Sequence, residues 1–262
     1  MRAFLSNIMS THLVPVSINT LSIKWGIQRS IFDRLTGIDS TDLLQEEVDA
    51  LWAEVAIKFA EELSAPKIIK THAAYFPEDG NPFLIKQASR CAVYLVRNPL
   101  DVCSSFAHHL AYSIDETIAV MRNNAYHLCQ SDSGCRRELG ERVSGWSANA
   151  HSWFSNQDYP VLILRYEDLL ANPGQWFRKT VDFLEISAKQ FDIERAITFS
   201  AFKCLQAQEQ KEGFCEKSRK SASFFRKGEV GDWRNKLSQR QAQQIVREHG
   251  ASMELLGYST NL

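Results

Sequence analysis

Arg97 stands at the end of a continuously apolar run, Cys91-Ala-Val-Tyr-Leu-Val96, and is followed by Asn98-Pro99. Proline suits the first turn of a helix, and Leu100, Cys103, Ala107 and Leu110 continue at helical spacing, so a strand, a turn and a helix are predicted in that order. The backbone N–H groups of a helix's first turn have no partner inside the helix, which makes such a turn an anion site. Arg97 adds a forked cationic donor there, and Ser105, about one turn into the helix, adds a hydroxyl. This set suits a phosphate monoester. The same arginine has a simpler reading as one half of a helix-start ion pair with Asp101.

His72 ends a polar step, Lys70-Thr-His72, that closes an apolar segment. An imidazole at a strand end can reach into a cleft, and a neighbouring ammonium favours its neutral form, the form a general base needs. The plain alternative is a hydrogen-bonded surface histidine. Tyr166 follows a third apolar run, where its ring could pack on a flat heterocycle or simply seal the core edge, with Glu167 and Asp168 orienting the loop. From Lys217 to Lys227 the chain carries Lys217, Arg219, Lys220, Arg226 and Lys227, no acid, and the pair Phe224 and Phe225. Such a run reads as a solvated face or a nucleic-acid patch, whereas Gly228 and Gly231 beside it point to backbone closing over a phosphate. His108, His109 and His127 are assigned to helices and to structural roles.

The elements that must position these groups are legible as periodicities. Leu44, Val48, Leu51, Trp52, Val55 and Phe59 recur at helical spacing between Asp42 and Leu63, and Asp42 with Gln45 resembles a capping box. Pro66 to His72, Cys91 to Val96 and Val161 to Leu164 read as strands, the last two continuously apolar as parallel strands covered on both faces are. Ser113 with Glu116 opens a helix through Ile118, Met121 and Ala125, and another carries Val143, Trp146, Ala150 and Trp153. Asn172-Pro173 starts a helix with Trp176, Phe177, Val181 and Leu184 on one side. Gln206 to Ser223 is polar and weakly periodic and reads as a mobile crossing segment. Ser238 with Gln241 caps a last helix that Gly250 can end. Strands alternating with helices predict an α/β fold with a parallel sheet flanked by helices, whose ligands sit beyond the carboxyl ends of the strands. That rule puts Lys70 to His72, Arg97 to Ser105 and Arg165 to Asp168 at equivalent positions.

Composition bounds the partners. The 262 residues are 44% hydrophobic and 23% charged, the profile of an ordinary globular chain. With 30 basic against 31 acidic residues, nothing in the overall charge points to nucleic acid or an anionic membrane. No apolar run approaches the ~18 residues of a membrane span and no cleavable signal pattern opens the chain, so a cytoplasmic location is expected. The six cysteines show no C-x-x-C spacing; free thiols are expected, with Cys129 and Cys135 close enough in sequence to pair across a turn.

Lys70-Thr-His72, Val93-Tyr-Leu-Val-Arg-Asn-Pro-Leu-Asp-Val-Cys-Ser-Ser105, Tyr166-Glu-Asp168 and Phe224-Phe-Arg-Lys-Gly-Glu-Val-Gly-Asp-Trp233, in this order and spacing, resemble the sulfotransferases that use 3′-phosphoadenosine 5′-phosphosulfate. The resemblance implies a P-loop-like architecture and a nucleotide co-substrate. Arg97 and Ser105 would bind its 3′-phosphate, with Arg226, Lys227 and Gly228 closing over the same group. Tyr166 would contact the adenine, and Ser200 and Phe202 fall where the family places further nucleotide contacts. His72 would remove the acceptor's proton and Lys70 would steady charge on the transferring sulfuryl group, without a metal. The acceptor would be a small molecule or carbohydrate offering a hydroxyl or amine, chosen by the loops around Phe76 to Phe83 and Tyr112 to Cys135.

Members of this family begin with a strand and a Pro-Lys-Ser-Gly-type loop that holds the 5′-phosphosulfate, and this sequence contains neither. Residues 1–262 are therefore expected to form a single sulfotransferase-like domain, N-terminally incomplete, with Met1 not the ancestral start. The alternative to a transferase is a catalytically incomplete remnant that binds adenosine 3′,5′-bisphosphate without transfer. A kinase-like phosphotransferase lacks the G-x-x-x-x-G-K-[ST] loop it would need.

Overall fold

In a computed structural model that describes residues 1–24, 26–76, 85–128, 139–217 and 222–262, the chain runs through α1 (Arg2–Ile8), α2 (Arg29–Thr36), α3 (Gln45–Glu61), β1 (Ala92–Val96), α4 (Pro99–Leu110) and α5 (Ile114–Arg122). It continues through β2 (His127–Leu128), β3 (Glu141–Arg142), α6 (Trp146–Phe154), β4 (Val161–Arg165), α7 (Tyr166–Ala171) and α8 (Pro173–Phe183). The last elements are α9 (Gln190–Phe199), α10 (Phe202–Glu212) and α11 (Gln239–Leu255).

Short polar side chains set where four of these helices begin. Asn98 accepts the Leu100 N–H with Pro99 in the first turn of α4, and Asn172 accepts the Gln175 N–H ahead of α8. Ser113 and Glu116 bond reciprocally before α5, as do Ser238 and Gln241 before α11. These caps satisfy N–H groups that the helices themselves cannot.

Two compact units form, one from Met1–Ile23, Val93–Ala119 and Leu162–Leu262, the other from Lys24–Ala92 and Val120–Val161. In the first, β1 and β4 pair in a parallel sheet flanked by helices, the predicted fold class. Leu162, Leu164 and Leu169 are buried against Val93, Trp176, Phe177 and Phe183. Here α1 packs on α9, and the Phe4 ring stacks on Phe177 at 4.0 Å. In the second, α2 lies on α3 through an edge-on Phe32–Trp52 contact at 5.1 Å, joined by Val48, Val55, Ala56 and Ala73. A short antiparallel hairpin pairs His127 with Arg142 and Leu128 with Glu141.

Several local expectations are corrected. Residues 66–72 do not form a strand; Lys70 alone makes a bridge, its N–H donating to Lys24 O and its C=O accepting from Gly26 N–H. Asp42 sits in a short 3-10 turn, Ser40–Asp42, that Asp39 caps, so α3 starts later and Glu47, not Gln45, accepts the N–H of its cap residue Leu44. Val143 precedes α6 instead of belonging to it, and His127 lies on β2, not on a helix. The stretch from Gln206 is helical to Glu212 as part of α10. Gly250 does not end α11: Gly257, at φ +74°, does, with Tyr258 N–H bonded to Met253 O and Gly257 N–H to Glu254 O. That is the pattern a left-handed glycine makes at a helix end. The Cys129–Cys135 pairing, Arg219, Lys220 and, of the two acceptor loops, residues 77–83 and 129–135 lie outside the described residues.

Candidate functional site

The site residues fall into two groups, one in each compact unit. Arg97, Ser105, Tyr166, Ser200, Phe202, Arg226, Lys227 and Gly228 belong to the first, and Lys70 and His72 to the second.

In the first unit Arg97 leaves the end of β1 half-buried. Its Nη2 donates to Glu229 O at 2.7 Å and lies 3.7 Å from Asp101 Oδ2, and its guanidinium covers the Tyr166 ring at 4.4 Å from the centroid. The ion-pair reading is therefore realised, and the same guanidinium also meets the 224–233 segment and Tyr166. Arg97 Nε is buried and makes no hydrogen bond, so one donor of the fork is unspent. Burial pushes the Tyr166 phenol up, opposed by the Arg97 charge. Ser105 is exposed, further along α4 in its second turn.

Asp101, only 1% exposed, accepts the N–H groups of Gly231 at 2.7 Å and Trp233 at 3.1 Å. A buried carboxylate is tolerated when its oxygens are so bonded. Glu167, at the start of α7, accepts the Asn98 N–H at 3.0 Å and the Tyr258 hydroxyl at 2.9 Å, the orienting role expected of that stretch. A cleft of about 220 Å³ opens beside Asn98, Asp101, Arg165, Glu167 and Gly231; Arg97 and Tyr166 do not line it.

The 224–228 turn is held by α10. Gln206 Nε2 donates to Phe225 O at 2.9 Å, and Glu209 accepts the N–H groups of Phe224 and Phe225 at 2.6 and 2.8 Å. Phe224 and Phe225 pack on each other and on Phe214 rather than lying splayed between the cations. Gly228 adopts φ +68°, and a Cβ there would lie 2.4 Å from the Phe202 ring, so both backbone shape and space require glycine. Phe202 thus supports the turn from beneath. Ser200 caps α9 with its hydroxyl donated to Ala196 O at 2.7 Å. Arg226 and Lys227 both pair with buried Asp232, at 3.2 and 2.6 Å, and the Lys227 hydrogen bond holds that carboxyl below its usual range.

In the second unit His72 is exposed on a segment whose backbone is satisfied largely by side chains. Its N–H donates to Glu141 Oε2 at 3.0 Å and its C=O accepts from Asn149 Nδ2 at 3.2 Å. Ala73 O accepts from Trp153 Nε1 at 3.1 Å, Ala74 N–H donates to Arg142 O at 2.9 Å, and Tyr75 N–H to Ser152 Oγ at 2.9 Å. Sequence reasoning missed Glu141, Asn149 and Ser152, which lie in no motif, and Asp232, Gln206 and Glu209. Only Asp232 carried a signal, as the second acid after the basic turn, within the Phe224 to Trp233 motif.

The family model of the sulfotransferase domain matches residues 4–257. The chain belongs to the sulfotransferase domain family. Cytosolic sulfotransferase 12 of Arabidopsis thaliana is 27% identical over 192 residues, 71% of this chain and 56% of that protein. Sulfotransferase 1B1 of Mus musculus is 24% identical over 196 residues, 72% and 62% of the two chains. This sulfotransferase-family chain thus spans less than two thirds of the length of these relatives. Among solved structures, a mouse sulfotransferase complexed with PAP superposes with a TM-score of 0.56 at 18% identity, over 75% of this chain and 68% of the other. A retinol dehydratase in complex with androsterone and inactive cofactor PAP gives 0.55 at 16%, over 87% and 69%. At such identities the likeness is one of fold. The family resemblance is thereby borne out. No helix among the described residues is long and apolar enough to cross a membrane.

Proposed function

We propose that this protein, as a single sulfotransferase-like domain, transfers the sulfuryl group of 3′-phosphoadenosine 5′-phosphosulfate to a hydroxyl or amine of a small-molecule or carbohydrate acceptor. The observation that carries the proposal is Arg97: one guanidinium gathers three of the four motifs, bonded to the 224–233 segment, stacked on Tyr166 and seated at the start of α4, and it retains a buried, unspent donor. A phosphate oxygen is the acceptor that a cation with an unspent donor suits. Ser105, Arg226, Lys227 and Gly228 are assigned with Arg97 to the 3′-phosphate, and Tyr166, Ser200 and Phe202 to the adenosine. Since Asp232 already pairs with both Arg226 and Lys227, one negative charge against two positive, a phosphate there shares those cations with a carboxylate.

His72 is assigned as general base. It takes the acceptor's proton as the acceptor oxygen or nitrogen bonds to sulfur, while the bond from sulfur to the 5′-phosphate oxygen breaks and adenosine 3′,5′-bisphosphate leaves with that electron pair. Lys70 offsets charge on the group in flight. In-line displacement of this kind depends on positioning and cationic stabilisation. A cytoplasmic setting accords with the names of the cytosolic relatives.

Titration calorimetry with adenosine 3′,5′-bisphosphate tests the binding half. Arg97→Ala is expected to weaken it by roughly 1.5–3 kcal/mol, the scale of a hydrogen bond to a charged group. Transfer assays over a range of acceptors test the chemistry, with His72→Ala expected to lower turnover by about 100-fold or more at unchanged nucleotide affinity. Absence of bisphosphate binding in the parent overturns the proposal. Binding without transfer to any acceptor reduces the protein to a nucleotide-binding remnant.

A further inference from the structure

We infer that Glu141 is a positioning residue for His72, with Asn149 completing the hold; this rests on the assignment of His72 as general base. The carboxylate of Glu141 is 6% exposed and accepts two hydrogen bonds from the Lys70-Thr-His72 step, one from His72 N–H at 3.0 Å and one from the Thr71 hydroxyl at 3.3 Å. The Thr71 oxygen in turn accepts the Ala73 N–H at 2.9 Å, so the bonding runs along the backbone on both sides of His72. From the other side Asn149 Nδ2 donates to His72 O at 3.2 Å and to Val143 O at 2.8 Å, which ties the carbonyl of His72 to the stretch leading from β3 into α6.

A buried carboxylate is desolvated and is tolerated when its oxygens are bonded, as those of Glu141 are by the His72 N–H and the Thr71 hydroxyl. What it adds is strength and direction: a hydrogen bond to an ionised acceptor is about twice as strong as a neutral one. Backbone bonds hold the segment at Lys70 and at Ala74, and between them the side chains of Glu141 and Asn149 bond the N–H and C=O of His72. With N–H and C=O both held, the two dihedral angles of His72 are constrained and its Cα–Cβ direction is set, while the imidazole remains exposed. A general base needs this, since a displacement of about 1 Å can lower a rate by around 100-fold.

The test combines turnover, nucleotide affinity and amide exchange at His72, measured on the whole chain. Glu141→Ala is expected to lower kcat roughly 10- to 100-fold, to leave affinity for adenosine 3′,5′-bisphosphate within about twofold, and to speed exchange of the His72 amide about tenfold or more. Glu141→Gln, whose amide oxygen can still accept the His72 N–H, is expected to recover most of the turnover. The double variant Glu141→Ala with His72→Ala should be no slower than His72→Ala alone, as residues acting through one group are not additive. Should Glu141→Ala fail to fold, Glu141→Asp withdraws the carboxylate by one methylene while keeping its charge, and the same fall in kcat is expected. Parent-like turnover together with a protected His72 amide in Glu141→Ala or Glu141→Asp overturns the inference. If instead His72→Ala itself keeps parent turnover, it is the general-base assignment that fails, and the exchange rate alone decides whether Glu141 holds the segment.

Discussion

Asp101 and Gly231, 130 residues apart in sequence, are joined by a 2.7 Å hydrogen bond from the Gly231 N–H to the Asp101 carboxylate. The second carboxylate oxygen takes the Trp233 N–H, so one acid in the first turn of α4 fixes the end of the basic segment beside Arg97. Removing it leaves two N–H groups without their acceptor, at about 1–3 kcal/mol for each that stays buried. Asp101→Ala is therefore expected to lower unfolding free energy by about 2–4 kcal/mol, with Asp101→Asn, which retains one acceptor, losing less. Urea denaturation at constant slope reads this directly. A loss below about 0.5 kcal/mol for the alanine variant is the range of an ordinary surface change and contradicts the linking role.

Gly228→Ala should damage the basic turn twice over, through its left-handed φ of +68° and through the Cβ contact with Phe202. We expect a stability loss of roughly 1–3 kcal/mol and nucleotide binding weakened by about tenfold or more, a cost of order 1.4 kcal/mol. Adding Phe202→Ala relieves the contact but not the backbone strain, so recovery should be partial. Parent-like affinity in the single variant rules out a tight turn at the phosphate.

Burial pushes the imidazole of His249, on the inner face of α11, below its usual range, with Glu248 opposing. The sign follows from proton uptake. Below about pH 6.5, the ordinary histidine value, the unfolded chain binds a proton that the folded chain resists, so this contribution is complete above that pH and is lost as the pH falls through the folded value. Thermal midpoints measured from pH 7.5 down to 5 should decline, and His249→Phe should flatten the slope. An identical slope in the variant assigns the decline to other groups.

Cys103 is fully buried beside Ile114 and its thiol is pushed up to about 12, chiefly by burial, whereas Cys215 is exposed. Because the thiolate is the reactive form, iodoacetamide on the native protein should label Cys215 quickly and Cys103 only after denaturation. Peptide mapping by mass spectrometry distinguishes the two, and early labelling of Cys103 contradicts the packing of α4.

What the sequence made legible was what is local. The caps at Asn98, Ser113, Asn172 and Ser238 each involve residues within one turn, and spacing alone identifies them. Residues 66–72 misled because an apolar run looks the same whether or not its backbone pairs along a strand; here Lys70 makes a lone bridge, and Glu141, Asn149 and Trp153, far along the chain, hold His72 and Ala73 beyond the run. Arg97 with Asp101 was visible as an i, i+4 pair, but the carboxylate's stronger bonds to Gly231 and Trp233 were not, being set by tertiary approach. Gly250 and Gly257 are equally plausible helix stops on paper; the αL turn formed at the second.

Helix α10 buries none of its residues, yet Gln206 and Glu209 on it bind the backbone of the basic turn. A helix of this length is marginal by itself, so its order depends on its bonds to the turn and to residues 17–18, where Gln208 accepts the Ile18 N–H and Glu212 the Ser17 hydroxyl. Holding Arg226 and Lys227 in place therefore carries the entropy of a whole helix with it. A ligand on the cations would quench fluctuations throughout residues 202–212, most of which it never touches, and part of its affinity is spent on that quieting.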